Sequence, residues 1–539
     1  MRKIATRNEI IGLENAANKD GLSFDQMMEN AGRSTAEEII SIFQDLHGYR
    51  ILILIGGGNN GGDGLVAGRY LKNDGADVIL YLSHARKSTD QNYKKIIDLN
   101  CTINEASNDS DFSSLREEIG KADILVDALL GTGFSLPLKG TVEKMLKVVQ
   151  DELVSLPEKP FIVAVDCPSG LDIDTGEVAD AVVNADITVS FAVAKHGFFK
   201  LPGAAMIGQL KIVDIGIQPD VEELSKIDIG IPEVEDIRGW MPSRPLDAHK
   251  GTFGKLLVIA GSVNFPGAAA LTAIGAYRSG AGLVTMAVPG NIQHLIAPQL
   301  PEATWLLLPH EMGVIQENSM DVLSEQISLY QACVIGPGIG KETSTRIFLE
   351  RLLFESGNQK SKIGFVHDGM AEKLSGRALP PSVIDADALN LLAELENWED
   401  QIPQDCVLTP HPGEMARLTK LSIEDIQQNR IGAAREFSRK WRSVVVLKGA
   451  FTVVAHPEGN TVIIPLATPA LARAGSGDVL AGTIGSLMAQ GMEPFQAAVN
   501  GAYLHGIAGK IAYEVIGNAA GVIASDIADL LPAAINEIG

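Results

Sequence analysis

Positive charge is in short supply in this 539-residue chain: 44 Lys and Arg stand against 67 Asp and Glu, a formal net charge of −23. That balance argues against nonspecific binding to nucleic acid or to an anionic membrane surface. It leaves nucleotides open, because backbone N–H groups can hold phosphates. Cysteine is scarce too. Cys101, Cys167, Cys333 and Cys406 lie far apart and show no metal-ligand spacing, which fits a reduced cytosolic setting. No apolar run is long enough to span a bilayer, and Met1-Arg2-Lys3-Ile4-Ala5-Thr6 lacks the apolar region of a signal peptide. What is present, 46% hydrophobic and 21% charged residues, suits soluble globular domains, and the length calls for two or more of them.

The first half reads as alternating strands and helices. Helices are expected over 6–18 and 23–43, the second with Ser23 as N-cap. Ile51-Leu52-Ile53-Leu54-Ile55 is a continuous apolar run, as in a parallel sheet covered on both faces. It opens into Gly56-Gly57-Gly58-Asn59-Asn60-Gly61-Gly62-Asp63-Gly64, read as a loop, with a helix over 65–71 behind it. Further strands are expected at 78–82, 124–127, 161–165, 187–191 and 210–213, a doubly wound α/β pattern.

The glycine loop contains Gly56-x-Gly58-x-x-Gly61 but lacks the companions of a dinucleotide fold. Asp77 precedes the second strand, and Tyr81-Leu82-Ser83 ends it without an acid. Nor does Gly-Lys-Ser/Thr follow, as a phosphate loop requires. Its distinctive content is Asn59, Asn60 and Asp63. Amide oxygens and an acid suit a polar ligand or a hard cation; the plain alternative is an Asn/Gly-rich turn. Two more strand ends repeat the theme. Asp127 leads into Ala128-Leu129-Leu130-Gly131-Thr132-Gly133-Phe134-Ser135-Leu136-Pro137, and Asp166 into Cys167-Pro168-Ser169-Gly170-Leu171-Asp172. Ligands bind at the carboxyl ends of strands in open α/β sheets, so the three ends form a constellation. Asn60, Asp127 and the neighbourhood of Ser169 offer only oxygen and could share a monovalent cation.

Residues 218–244 turn acidic and proline-rich without periodicity, which reads as a linker or docking segment. Domains are therefore expected at 1–220 and 240–539, joined by 221–239. In the second, an apolar strand over 255–260 precedes Pro266-Gly267-Ala268-Ala269-Ala270-Leu271, which opens a small-residue helix. Such a helix is expected to pack closely on a sheet, with free N–H groups at its start. Later strands run into Gly336-Pro337-Gly338-Ile339-Gly340, Asp385-Ala386-Asp387-Ala388-Leu389-Asn390, Pro410-His411-Pro412-Gly413-Glu414 and Lys448-Gly449-Ala450-Phe451-Thr452. Last comes Ala474-Gly475-Ser476-Gly477-Asp478-Val479-Leu480-Ala481-Gly482, where N–H groups converge at a helix N-terminus that favours an anion. Asp478 either caps that helix or acts as a general base beside a phosphoryl group. Taken singly, His411 is a rigid loop residue, Lys448 a strand-end charge, and Asp385 and Asp387 are helix caps. Five polar strand ends together make that a poor joint explanation.

The three glycine- and acid-bearing segments of the first half resemble the NAD(P)H-hydrate epimerase family over about residues 1–216. Pro-Gly-Ala-Ala, Gly-Pro-Gly-Ile-Gly, Asp-Ala-Asp-Ala-Leu-Asn, Thr-Pro-His-Pro-Gly-Glu and Gly-Ser-Gly-Asp-Val-Leu-Ala-Gly resemble the ribokinase-like NAD(P)H-hydrate dehydratase family over roughly 240–537. The resemblance implies a Rossmann-like doubly wound α/β domain that interconverts the R and S forms of hydrated NADH and NADPH. A ribokinase-like α/β domain would then dehydrate the S form while converting ADP to AMP. In the first domain it implies substrate contacts at Asn59, Asn60, Gly61, Gly62, Asp63, Gly131, Thr132, Gly133, Phe134, Ser135, Leu136, Pro137 and Asp166. Asp166 and Lys195 would be catalytic, and a potassium ion would sit at Asn60, Asp127 and Ser169. A solvated lysine after a strand is an equal reading of Lys195. In the second domain it implies hydrate contacts at Ala268, Gly338, His411 and the catalytic Asp478. The adenine nucleotide, with Mg²⁺, would lie along Lys448, Gly449, Ala450, Phe451 and Thr452 and at Gly477.

One departure stands out: the family's Gly-rich, Met-containing segment is Ala467-Thr468-Pro469-Ala470-Leu471-Ala472-Arg473-Ala474 here. Arg473 either adds charge for the phosphates or faces water. Small-molecule partners, no nucleic acid, no membrane, a homo-oligomeric state and a cytoplasmic location complete the expectation. Two alternatives remain: a ribokinase-like kinase for a sugar or pyrimidine alcohol, and a pair of nucleotide-sensing modules that have lost chemistry.

Overall fold

Consecutive apolar residues in a strand can all be buried only where helices cover both faces of the sheet. Arg50–Ile55 meets that condition: Ile51, Ile53 and Ile55 join one core, Leu52 and Leu54 the core on the opposite face. In this computed structural model, which describes residues 1–355 and 379–539, the chain divides into units at Arg2–Gly230 and Ile231–Gly539, Met1 grouping with the second.

The first unit's seven-stranded sheet runs Thr102–Glu105, Asp77–Leu82, Arg50–Ile55, Ile124–Ala128, Phe161–Val165, Ile187–Phe191, Gln209–Val213. In chain order that is 3-2-1-4-5-6-7, and every neighbouring pair is parallel. Leu54 lies opposite both Tyr81 and Asp127, so Asp127 sits near the carboxyl end of the fourth strand. Both leading helices form, Arg7–Lys19 and Phe24–Phe43, and Ser23 caps the second by accepting from the Gln26 N–H at 3.2 Å. The glycine segment departs from the expected loop. The helix starts at Asn59, with Gly58 as N-cap, so Asn59 to Asp63 form its opening turn. Glycine's low helix propensity misleads here, because close packing on helix Phe24–Phe43 requires it: a Cβ on Gly62 would come within 2.6 Å of the Met28 sulfur.

The second unit's sheet begins Thr304–Leu308, Leu283–Pro289, Lys255–Ile259, Ala332–Ile335, Ser382–Ile384, Cys406–Leu408, Val444–Leu447, all parallel. Antiparallel strands Val453–Ala455 and Thr461–Ile463 extend it. Leu256 and Val258 face one core, Leu257 and Ile259 the other. The small-residue helix Pro266–Arg278 packs most closely on another helix rather than on the sheet. A Cβ on Gly275 would lie 2.6 Å from the Val479 carbonyl oxygen, and one on Gly482 1.9 Å from that of Thr272. These glycines let helix Ser476–Ala489 seat its first turn against the sheet's carboxyl end. Among the described residues, no helix is long and apolar enough to cross a membrane.

Candidate active sites

Where strand order reverses in an open parallel sheet, the loops diverge and leave a crevice at the carboxyl ends. In the first unit that crevice is a cavity of about 510 Å³. Asn59, Asn60, Asp63, Gly131, Thr132, Gly133, Phe134, Asp166 and Lys195 line it from the strand ends. Ile10, Glu14, Phe24, Met27 and Met28 line it from the two leading helices. Gly61, Gly62, Ser135, Leu136 and Pro137 are not in the lining. The chain turns into the cavity at Gly56, where a Cβ would sit 1.7 Å from the Leu129 carbonyl oxygen. Arg86 braces that turn, donating to the Gly56 and Gly58 carbonyls at 2.7 and 3.0 Å.

Asp166 follows strand Phe161–Val165 with φ of 64°, a left-handed conformation that costs a non-glycine residue on the order of 1–3 kcal/mol. Its N–H donates to the Val189 carbonyl at 2.8 Å, and its carboxylate accepts from the Phe191 N–H at 3.3 Å. The Lys195 ammonium pairs with that carboxylate and donates to Ser190 Oγ at 2.7 Å. Only 1% of Lys195 is exposed, which removes the solvated-lysine alternative. Burial, with the negative charge of Asp166 and Glu14 beside it, pushes the Asp63 carboxyl well above the usual carboxylate range. Burial and Asp166 likewise raise Glu14.

Beneath the cavity, Asn60, Asp127 and Ser169 meet around one peptide. Ser169 donates to Asp127 through its hydroxyl at 2.6 Å and its N–H at 2.8 Å. The Leu130 N–H donates to Ser169 Oγ at 2.9 Å, and Asn60 Nδ2 donates to the Leu130 carbonyl at 3.0 Å. Burial raises the Asp127 carboxyl despite those hydrogen bonds. A carboxylate short of counter-charge among hydroxyl, amide and carbonyl oxygens fits a hard cation.

In the second unit, Lys448 at the end of Val444–Leu447 donates to Asp385 Oδ1 at 2.6 Å and lies 3.8 Å from Glu414 Oε2. Burial alone would depress the Lys448 ammonium, but Asp385 and Glu414 outweigh it and hold it raised. Asp385 caps nothing with its side chain; the following helix, Asp387–Leu392, has Ala386 as N-cap. Asp387 instead accepts from the Gly340 N–H at 3.1 Å, joining two of the strand-end loops. Asp478 stands in the first turn of Ser476–Ala489, with Gly475 at φ 89° as N-cap. The Ser476 N–H donates to Arg473 and that of Val479 to Gly475. Helix geometry leaves the N–H groups of Gly477 and Asp478 without an internal acceptor, and a Cβ on Gly477 would lie 3.4 Å from Lys448 Nζ. Burial, reinforced by Asp385, pushes the Asp478 carboxyl up to about 7.

His411 caps helix Pro412–Thr419 by accepting through Nδ1 from the N–H groups of Gly413 and Glu414, at 2.9 and 3.3 Å. Its remaining proton is therefore on Nε2. Gly338, at φ 64°, abuts Ala268, whose Cβ would be 2.9 Å from a Cβ at 338. Residues 448–452 form the turn into Val453–Ala455, with Gly449 at φ 147° and Phe451 at φ 54°. Arg473 is exposed and donates to the Ala519 and Ala520 carbonyls at 3.3 and 2.6 Å.

Sequence reasoning missed three residues here. Glu14 sits on a helix with no motif, and Arg86 follows the second strand, where a dinucleotide fold carries an acid. Arg430, whose guanidinium is pushed down to about 10 by burial, donates to the Leu447 and Lys448 carbonyls from the start of the helix that precedes that strand.

A family model described as NAD(P)H-hydrate dehydratase matches residues 256–533, and one described as YjeF-related protein N-terminus matches 24–197. The bifunctional NAD(P)H-hydrate repair enzyme of Moorella thermoacetica is 36% identical over 515 residues, 94% of this chain and 91% of that one. Its namesake in Escherichia coli is 32% identical, covering 97% and 92%. An ADP/ATP-dependent NAD(P)H-hydrate dehydratase from Bacillus subtilis, crystallised with ATP and Mg²⁺, aligns with a TM-score of 0.46 at 30% identity, over 58% of this chain and all of that one. The chain therefore belongs to the family of bifunctional NAD(P)H-hydrate repair enzymes.

Proposed function

We propose that this chain repairs hydrated NADH and NADPH: the first unit interconverts the R and S hydrates, and the second dehydrates the S hydrate while ADP becomes AMP. One observation carries the reading. In each unit the motif carboxylate, Asp166 or Asp478, stands with a lysine at the sheet's carboxyl end, Lys195 buried and Lys448 half-buried. In the second unit Asp478 takes the proton from the hydrate hydroxyl as that oxygen attacks the terminal phosphoryl group. The Gly477 and Asp478 N–H groups hold the charge developing on phosphate oxygens, and Lys448 faces the same place. Loss of phosphate from the adduct restores the dihydropyridine. Ala268, Gly338 and His411 would border the hydrate, and 448–452 the adenine nucleotide. In the first unit Asp166 and Lys195 handle proton transfer near the carbon bearing the hydroxyl, with Asn59, Asn60, Asp63 and Gly131 to Phe134 around the ligand.

Asn60, Asp127 and Ser169 would hold K⁺, which supplies the counter-charge the buried Asp127 lacks. Around Lys448, the carboxyls of Asp385, Glu414 and Asp478 outnumber that cation, with Asp387 paired to Lys341 at 3.8 Å, which suits Mg²⁺ carried mainly by nucleotide phosphates. A cytoplasmic homo-oligomer acting on small molecules alone completes the proposal. Incubation with hydrated NADH, Mg²⁺ and either ADP or ATP tests it. The NADH absorbance returns if the reading holds, and stays flat for a sugar kinase or a sensor without chemistry.

A further inference from the structure

The helix Arg7–Lys19 lies outside the segment that the N-terminal family model matches, yet it forms part of the cavity wall. It is fixed there. Arg7 donates to the Phe134 carbonyl at 3.0 Å and pairs with Asp172 at 3.3 Å, and its backbone N–H donates to Asp174 at 2.8 Å. Those partners belong to the two loops that flank the cavity. Two turns further on, Glu14 lines the cavity close enough to Asp166 and Lys195 to feel both charges; desolvation and those two charges are the influences on its carboxyl, with no hydrogen bond to another described residue. A carboxyl committed to no partner, lining the same cavity as an ion-paired carboxylate but from a different element, is a group left for the ligand.

We propose that Glu14 is the second acid–base residue of the epimerase, acting on the face of the nicotinamide ring opposite Asp166. The inference rests on the epimerase reading above. Water adds to an enamine with its hydroxyl on the carbon next to nitrogen, so the epimers are two hemiaminals. Interconversion breaks the C–O bond as the ring nitrogen lone pair forms C=N⁺, and the departing hydroxyl takes a proton from one carboxylic acid and leaves as water. A water then adds to the other face, the C=N⁺ electrons return to nitrogen, and the added water gives a proton to the second carboxylate. Each turnover leaves the pair set for the reverse direction. Asp166, bound to Lys195, starts as the base, and Glu14 starts as the acid.

The test uses the full-length chain, following R/S interconversion of hydrated NADH by chromatography without nucleotide, with an unchanged circular dichroism spectrum and thermal unfolding profile as the control on the fold of the first unit. Glu14→Gln is expected to lower the epimerisation kcat on the order of 10²-fold or more with KM within threefold, and Glu14→Asp to restore part of it. Repair of the S hydrate stays at the parental rate. Parental epimerisation in Glu14→Gln, or a rise in KM alone, overturns the inference while leaving Asp166→Asn to test the epimerase reading separately. A parental chain that never interconverts the epimers overturns both.

Discussion

The two units build related sheets and use their lysines differently. In the first, Lys195 pairs with the motif carboxylate itself, Asp166. In the second, Lys448 is taken by Asp385, and burial, reinforced by Asp385, pushes the Asp478 carboxyl up to about 7. A strand-end carboxylate is thus charge-paired in one site, and a carboxylate in a helix's first turn is poised to exchange a proton near neutrality in the other. The difference matches the proposed chemistries. A base that must collect a hydroxyl proton during phosphoryl transfer works best when its affinity for protons is close to the ambient pH.

The largest expected effect separates the sites outright. Asp478→Asn should cut dehydration on the order of 10²–10⁴-fold while nucleotide binding and epimerisation persist. Dehydration within a fewfold of parental would reduce Asp478 to a helix cap. Next in size, Lys448→Met strands Asp385 and Glu414 without their cation. A loss of about 3–5 kcal/mol is expected in urea unfolding of the second unit, as for other broken buried pairs. An unchanged midpoint would mean that water already compensates those acids.

Smaller effects follow from the titration of Asp478. Its carboxyl must be ionised to act, so dehydration kcat/KM should fall about tenfold per pH unit below roughly pH 7. Because the folded value of about 7 lies above the unfolded value of about 3.9, the native chain holds an extra proton between them. Stability from this group is therefore fully present below pH 4 and lost as pH rises through 7. Asp478→Asn should raise Tm at pH 8 and leave it unchanged below pH 4; a lower Tm at pH 8 would contradict the assignment. Least disturbing of all, fragments 1–230 and 231–539 are each expected to retain one activity within a few-fold. Insolubility of both would show that the units do not fold independently.

Much of this was legible in the chain because both faces of each central strand are buried, which writes unbroken apolar runs such as 51–55 and 444–447 into the sequence. The five polar ends of the second unit were equally visible, since each follows such a run. What escaped notice depended on tertiary contact. Asn59 to Asp63 read as a loop because glycine discourages helix, and only tertiary contacts, of the Gly56 carbonyl with Gly61 and of Met28 with Gly62, explain the glycines. Strand Thr102–Glu105 sits at a sheet edge, where a half-exposed, polar sequence carries little periodic signal. Glu14 and Arg86 reach their sites from other segments of the chain and Arg430 from the opposite end of the preceding helix, and no local pattern marks a side chain that is useful only for what it meets.

The pairing of one reaction to each unit is tested most directly by the time course of NADH absorbance when Asp166→Asn meets an equilibrated mixture of R and S hydrates with excess ADP and Mg²⁺. Two phases are expected: the S fraction returns at the parental rate, and the R fraction then drains only at its slow spontaneous rate of epimerisation. A single phase in which both epimers are repaired at parental speed would remove Asp166 from the mechanism.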